Sequence, residues 1–180
     1  MTQDNSGALE IRVSAGRGIG LTRLSAFDAA LRDAGVADFN LVRLSSVIPP
    51  GATVREVPGS EQLQGRIGDV LFCVYADSYA STPGEEAWAG VAWAQRPDLG
   101  AGQPESSRTD LHGSGVFVEH SGISQGLVER DLRASIADLT RNRVGDFPHR
   151  GQLLSSARCV DHPVCAIVIA SYSVQTLTQS

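Results

Sequence analysis

The sequence predicts an α+β fold, a compact sandwich of strands carrying two helices. Three observations lead there. Short apolar runs of strand length recur along the chain, only two windows carry helical periodicity, and polar Gly/Pro-rich connections separate them. A chain of 180 residues fits a single domain with one sizeable core. No internal repeat and no interdomain linker interrupts it.

The elements follow in order. Residues 8–14 (Leu-Glu-Ile-Arg-Val-Ser-Ala) alternate apolar and polar, the period of a strand with one buried face. Gly16-Arg17-Gly18-Ile19-Gly20 then reads as a flexible turn. Ser25 is placed to cap a helix running to about Asp33, with Leu24, Phe27, Ala30 and Leu31 on its apolar side and Gly35 to stop it. Residues 39–46 form the next strand, ending in Ser45-Ser46 and a stiff Pro49-Pro50-Gly51 corner. Residues 69–76 and 86–95 read as buried strands. A polar Gly/Pro/Ser-rich loop is expected between residues 96 and 113. Residues 115–120 make a short strand closing in Glu119-His120. Ser124 opens the strongest helix: Val128, Leu132, Ile136 and Leu139 recur every three or four residues, through about Arg141. Residues 153–160 and 164–174 close the chain as strands, the second almost wholly apolar. Trp88 and Trp93 are an odd number of residues apart and so point to opposite faces if they share a strand.

Composition excludes several functions. A net charge of −5 argues against sequence-independent nucleic-acid binding, which needs a basic surface, while leaving a cationic small molecule welcome. The polar Met1–Gly7 segment lacks an apolar signal core, and no apolar run approaches membrane length, so a cytoplasmic protein with no membrane partner is expected. Cys73, Cys159 and Cys165 sit in apolar surroundings without metal spacing and read as buried structural thiols. All 15 basic Lys+Arg residues are arginines. Without lysine the chain cannot hold pyridoxal phosphate as a Schiff base, nor run class I aldolase or P-loop chemistry.

Among motifs, Gly16, Gly18 and Gly20 follow a strand and precede a helix, but their spacing is GxGxG and no acidic residue clearly ends a second parallel strand. A tight turn, or close approach of a neighbouring backbone, explains them better than a dinucleotide site. His112, His120, His149 and His162 show neither i, i+4 spacing nor a nucleophile elbow, so no metal site is expected. Ser45-Ser46 is one of three Ser-Ser pairs, with Ser106-Ser107 and Ser155-Ser156, and the dipeptide alone means little. Its setting differs. It lies in Asn40-Leu41-Val42-Arg43-Leu44-Ser45-Ser46-Val47-Ile48-Pro49-Pro50, behind Gly18-Ile19-Gly20-Leu21-Thr22 and Ser25 to Gly35, with Val118-Glu119-His120 and an apolar terminal strand further on.

On those residues the chain resembles the pyruvoyl-dependent arginine decarboxylases over most of its length, diverging mainly between residues 96 and 113. The resemblance implies a sandwich of mainly antiparallel sheets flanked by helices (αββα), assembled as a trimer with active sites at subunit interfaces. It also implies cleavage between Ser45 and Ser46. The Ser46 hydroxyl would attack the Ser45 carbonyl carbon; elimination and loss of ammonia would leave a pyruvoyl group on the 46–180 chain (α), with 1–45 (β) held non-covalently. Such a covalent ketone replaces pyridoxal phosphate, takes the substrate amine as a Schiff base and accepts the electrons released with carbon dioxide. No metal is needed. Arginine is the implied substrate and agmatine the product, for polyamine biosynthesis; another amino acid, or an oligomeric relative that does not cleave, are the alternatives.

The resemblance assigns three further roles, each with a plainer alternative. Glu119 would be the proton donor, its apolar neighbours favouring the protonated form; otherwise it is a strand-end surface carboxylate. The Asn40 amide would assist in the active site, six residues before Ser46 and on the same strand face if the pleat is regular; otherwise it is a polar strand start. Asp28 would receive the substrate guanidinium through paired hydrogen bonds; otherwise it is a solvated helix-face carboxylate.

Overall fold

A computed structural model describes residues 8–97 and 112–177. Most of the expected 96–113 loop lies outside the described residues. Along the chain run β1 (Glu10–Ile19), α1 (Arg23–Asp33), β2 (Asn40–Arg43), β3 (Val47–Ile48), β4 (Thr53–Glu56), β5 (Val70–Ala80), β6 (Glu86–Gln95), β7 (Gly115–Gly122), α2 (Gln125–Arg141), β8 (His149–Arg158) and β9 (Val164–Gln175). They form two sheets, ordered β2-β5-β9-β1-β4 and β3-β7-β6-β8. The second is antiparallel throughout; the first is antiparallel at its centre, with β2 and β4 added parallel at the edges.

Side-chain alternation builds four layers, α1, first sheet, second sheet and α2. Ile11, Val13, Val74, Val91, Trp93, Val168 and Tyr172 fill the space between the sheets. On the outer face of the first sheet, Cys73, Cys165, Ile167 and Ile169 meet Ala26, Ala30 and Leu31 of α1. On the outer face of the second, Ala92, Ala94, Val116 and Val118 meet Val128, Leu132 and Ile136 of α2. β9 is apolar on both faces because both are covered. Trp93 enters the inter-sheet core while Trp88 packs towards α2, the opposite-face arrangement expected of them. All three cysteines are buried and free, and burial pushes the Cys73 and Cys165 thiols up to about 12, so these two are poor nucleophiles.

Several elements differ from the sequence reading. The Gly16–Gly20 segment is no turn: β1 continues through it to Ile19. A Cβ on Gly16 would stand 2.2 Å from the Ala30 carbonyl oxygen, and one on Gly18 2.2 Å from that of Ala26. The glycines let the α1 backbone lie directly on the strand, which settles their purpose as close approach. The cap of α1 is Thr22 and not Ser25; Ser25 is the reciprocal partner in a capping box. Leu24 faces outwards at 78% exposure, Ala26 taking the buried position instead. Gly35, at φ +77, ends the helix as expected. The strand expected over 39–46 ends at Arg43, and β3 and β4, only two and four residues long, carry too little pattern to be read.

Candidate active site at the Ser46–Glu119 cleft

Between β2 and β3 the chain leaves the edge of one sheet and joins the edge of the other. Leu44 still follows the first sheet, its N–H donating to the Cys73 carbonyl at 2.8 Å. Val47 and Ile48 pair instead with Val116 and Gly115 of β7. The crossing is made at Ser45-Ser46, and Ser46 turns it by adopting φ +66. For a residue with a Cβ this left-handed conformation costs on the order of 1–3 kcal/mol and persists only where the surroundings impose it. They do so on both sides. The Phe117 N–H donates to the Ser46 carbonyl at 2.8 Å, and after Pro49-Pro50 a tight turn, with Gly51 at φ +72 and closed by Ala52 N–H to the Pro49 carbonyl at 3.2 Å, fixes the exit.

The same register delivers the carboxylate. Phe117 stands opposite Ser46, and Glu119, two residues further along β7, shares its face. The Ser46 hydroxyl donates to Glu119 Oε1 at 2.6 Å, a short bond to a charged acceptor between groups 73 positions apart. Both side chains are half-buried, whereas Ser45 is exposed. They open on a cleft of about 330 Å³, walled by Phe117, Val118 and His120 of β7 and by Ser135, Asp138 and Leu139 of α2. His120 Nε2 lies 2.8 Å from the Ser135 hydroxyl, tying strand to helix across the floor. A hollow of about 380 Å³ lies elsewhere, between α2 and β6/β8, lined by Leu132, Ile136 and Arg150 among others; it contains neither a carboxylate nor a hydroxyl and suits chemistry less well. Among the described residues no three His, Cys, Asp or Glu gather as metal ligands.

Of the sequence-selected residues, Ser46 and Glu119 are brought together and two are not. Asn40 begins β2, and its amide Nδ2 is committed to the Gly68 carbonyl at 2.7 Å. The regular pleat that would have aligned it with Ser46 ends at Arg43, so that inference fails. Asp28 is exposed on α1, paired with Arg32 at 3.1 Å, and lies outside the cleft lining. Sequence reasoning missed Ser135 and Asp138 of the cleft wall, and Tyr172, whose hydroxyl donates to the Val47 carbonyl at 2.9 Å. The first two stand beside the buried Val128-Leu132-Ile136 stripe of α2, a position the helical period places but whose facing strand it does not identify.

A nucleophile held in a strained turn against a carboxylate can attack its own chain, and relatives bear on that reading. A family model described as pyruvoyl-dependent arginine decarboxylase matches residues 10–175. The chain belongs to the pyruvoyl-dependent arginine decarboxylase family. Within it, a pyruvoyl-dependent arginine decarboxylase of Halobacterium salinarum is 46% identical over 86 residues, 48% of this chain and 52% of that protein. Pyruvoyl-dependent arginine decarboxylase 2 of Archaeoglobus fulgidus is 39% identical over 100 residues, 55% of each chain. The family member from Methanococcoides burtonii is 39% identical over 131 residues, 69% of this chain and 65% of its own. The chain thus spans about half to two thirds of the length of these curated relatives.

Proposed function

We propose that this chain cuts itself between Ser45 and Ser46 and, with the pyruvoyl group so made, decarboxylates arginine to agmatine. One observation carries the reading: in a member of this family, Ser46 is held at φ +66 with its hydroxyl 2.6 Å from Glu119. These residues fit the group they would generate, because the hydroxyl, the acceptor for its proton and the strained peptide are already assembled.

That geometry supports self-processing. As Ser46 Oγ bonds to the Ser45 carbonyl carbon, Glu119 accepts the hydroxyl proton. The carbon–nitrogen bond breaks, the freed amine takes a proton, and an ester links the two residues. Relief of the left-handed conformation favours this step. Loss of the Ser46 α-proton with scission of the Cβ–Oγ bond releases Ser45 as a carboxylate and leaves dehydroalanine. Water then adds to the tautomeric imine carbon and the nitrogen leaves as ammonia, giving the ketone.

The resulting ketone supplies an electron sink for the bond electrons released with carbon dioxide. Glu119, half-buried and reached from the open cleft, takes a proton from solvent and donates it to the substrate carbon as carbon dioxide leaves, so one carboxylate serves both stages. Asn40 is a positioning residue at the base of β2, whose far end delivers the serine pair. Because Asp28 lies outside its own cleft, guanidinium recognition by it calls for a neighbouring protomer, in keeping with a trimer whose sites lie at subunit interfaces. A cytoplasmic, biosynthetic role accords with this chemistry.

The test is carbon dioxide release from carboxyl-labelled arginine together with agmatine formation. Wild-type protein is expected to give both, and Ser46→Ala, uncut, neither. Turnover by uncut Ser46→Ala would overturn the proposal, and release from a different amino acid alone would reassign the substrate.

A further inference from the structure

We infer that Tyr172 is a positioning residue for the reactive end at residue 46, acting through the Val47 carbonyl. The inference rests on the self-cleavage reading above. Tyr172 lies on β9, the central strand of the first sheet, and is 8% exposed. Its ring meets Phe117 edge-on, with centroids 6.0 Å apart. Its hydroxyl crosses between the sheets and donates to the Val47 carbonyl at 2.9 Å. Burial, with the negative charge of Glu119 next in importance, holds the phenol well above its ordinary pKa, so it stays a donor throughout the working range.

The need for this contact changes at cleavage. In the uncut chain residue 46 is tethered on both sides, through Leu44 to β5 and through Val47 to β7. Once the 45–46 bond is gone, residue 46 ends a chain whose first element, β3, is two residues long and at a sheet edge. Chain ends fray unless tied down. The ties close to it that survive are the Phe117 N–H to the residue 46 carbonyl, the β3–β7 pairing, the buried Ile48 side chain and the Tyr172 hydroxyl. Tyr172 therefore contributes more to turnover than to cutting. Stability depends on it less, because the burial of the ring and its contact with Phe117 do not need the hydroxyl.

Tyr172→Phe removes one oxygen and keeps the ring. Expected is a fall in kcat of about tenfold, the equivalent of one hydrogen bond, with KM for arginine little changed. Precursor cutting should stay within about threefold of wild type and Tm within about 4 °C. A kcat within about twofold of wild type would overturn the inference. So would parallel losses in kcat, cutting and Tm, which would make Tyr172 a packing residue only. Failure of the wild-type chain to cut would instead sink the self-cleavage reading, and this inference with it.

Discussion

Glu119→Gln is the substitution that separates a catalytic carboxylate from a neighbouring one. Glutamine has the same length and can still receive the Ser46 hydroxyl hydrogen bond now 2.6 Å long. It cannot take the proton. The ground-state loss is the difference between a charged and a neutral acceptor, about 1 kcal/mol. The kinetic loss is larger, because a positioned general base contributes roughly 10²–10⁴ in rate. Freshly synthesised precursor should therefore fragment about a hundredfold or more slowly, followed over time by denaturing electrophoresis and mass spectrometry. Tm should move by no more than about 4 °C, since both side chains are half-buried and water can compensate. Whatever fraction does cut should remain impaired in carbon dioxide release, because the same carboxyl is the proton donor. Cutting within about threefold of the wild-type rate would refute Glu119 as the base. Normal turnover by the cut fraction would refute it as the donor.

Three further outcomes are expected. Gly18→Ala places a methyl carbon 2.2 Å from the Ala26 carbonyl oxygen and should lower stability by about 1–3 kcal/mol, read as a Tm loss of several degrees; an unchanged Tm would mean α1 does not lie on β1 as described. Hydrogen bonds from Arg55 hold the Glu10 and Glu61 carboxyls below the usual carboxylate value of 4.5. That stabilisation is complete above about pH 4.5 and is lost as pH falls through the lower folded-state values, so Arg55→Gln should flatten the acid limb of a Tm–pH curve, and an unaltered limb would count against the network. Asp28→Asn should raise KM for arginine about tenfold to a hundredfold while leaving cutting at the wild-type rate; an unaltered KM would remove Asp28 from the substrate site.

What the sequence discloses depends on how local each determinant is. The periodic stripe Val128-Leu132-Ile136 and the apolar run 164–174 announced α2 and β9, because burial on one face or on both leaves a repeating signature. Gly16 and Gly18 were legible as glycines needing space but not as strand residues: what they accommodate, the α1 backbone, is contributed by later residues. The end of β2 at Arg43 was hidden for a similar reason. Leu41 to Leu44 carry strand propensity, and the left-handed turn at Ser46 is imposed by partners on β7 some 70 positions on. Ser46 and Glu119 could be chosen from sequence by resemblance, but their contact could not, since it depends on the pairing of Val47 with Val116. Tyr172 left no signal at all, being one aromatic residue in an apolar strand.

The central claim is that the atoms of Ser46 become the reactive group. Intact-mass measurement of the purified wild-type protein under denaturing conditions tests it most directly. Two polypeptides are expected, one ending at Ser45 and one beginning at residue 46, the second lighter than an amino-terminal serine would make it by the mass of one ammonia. A single uncut chain in a preparation that decarboxylates arginine would contradict it, as would a second polypeptide that begins with an unmodified serine.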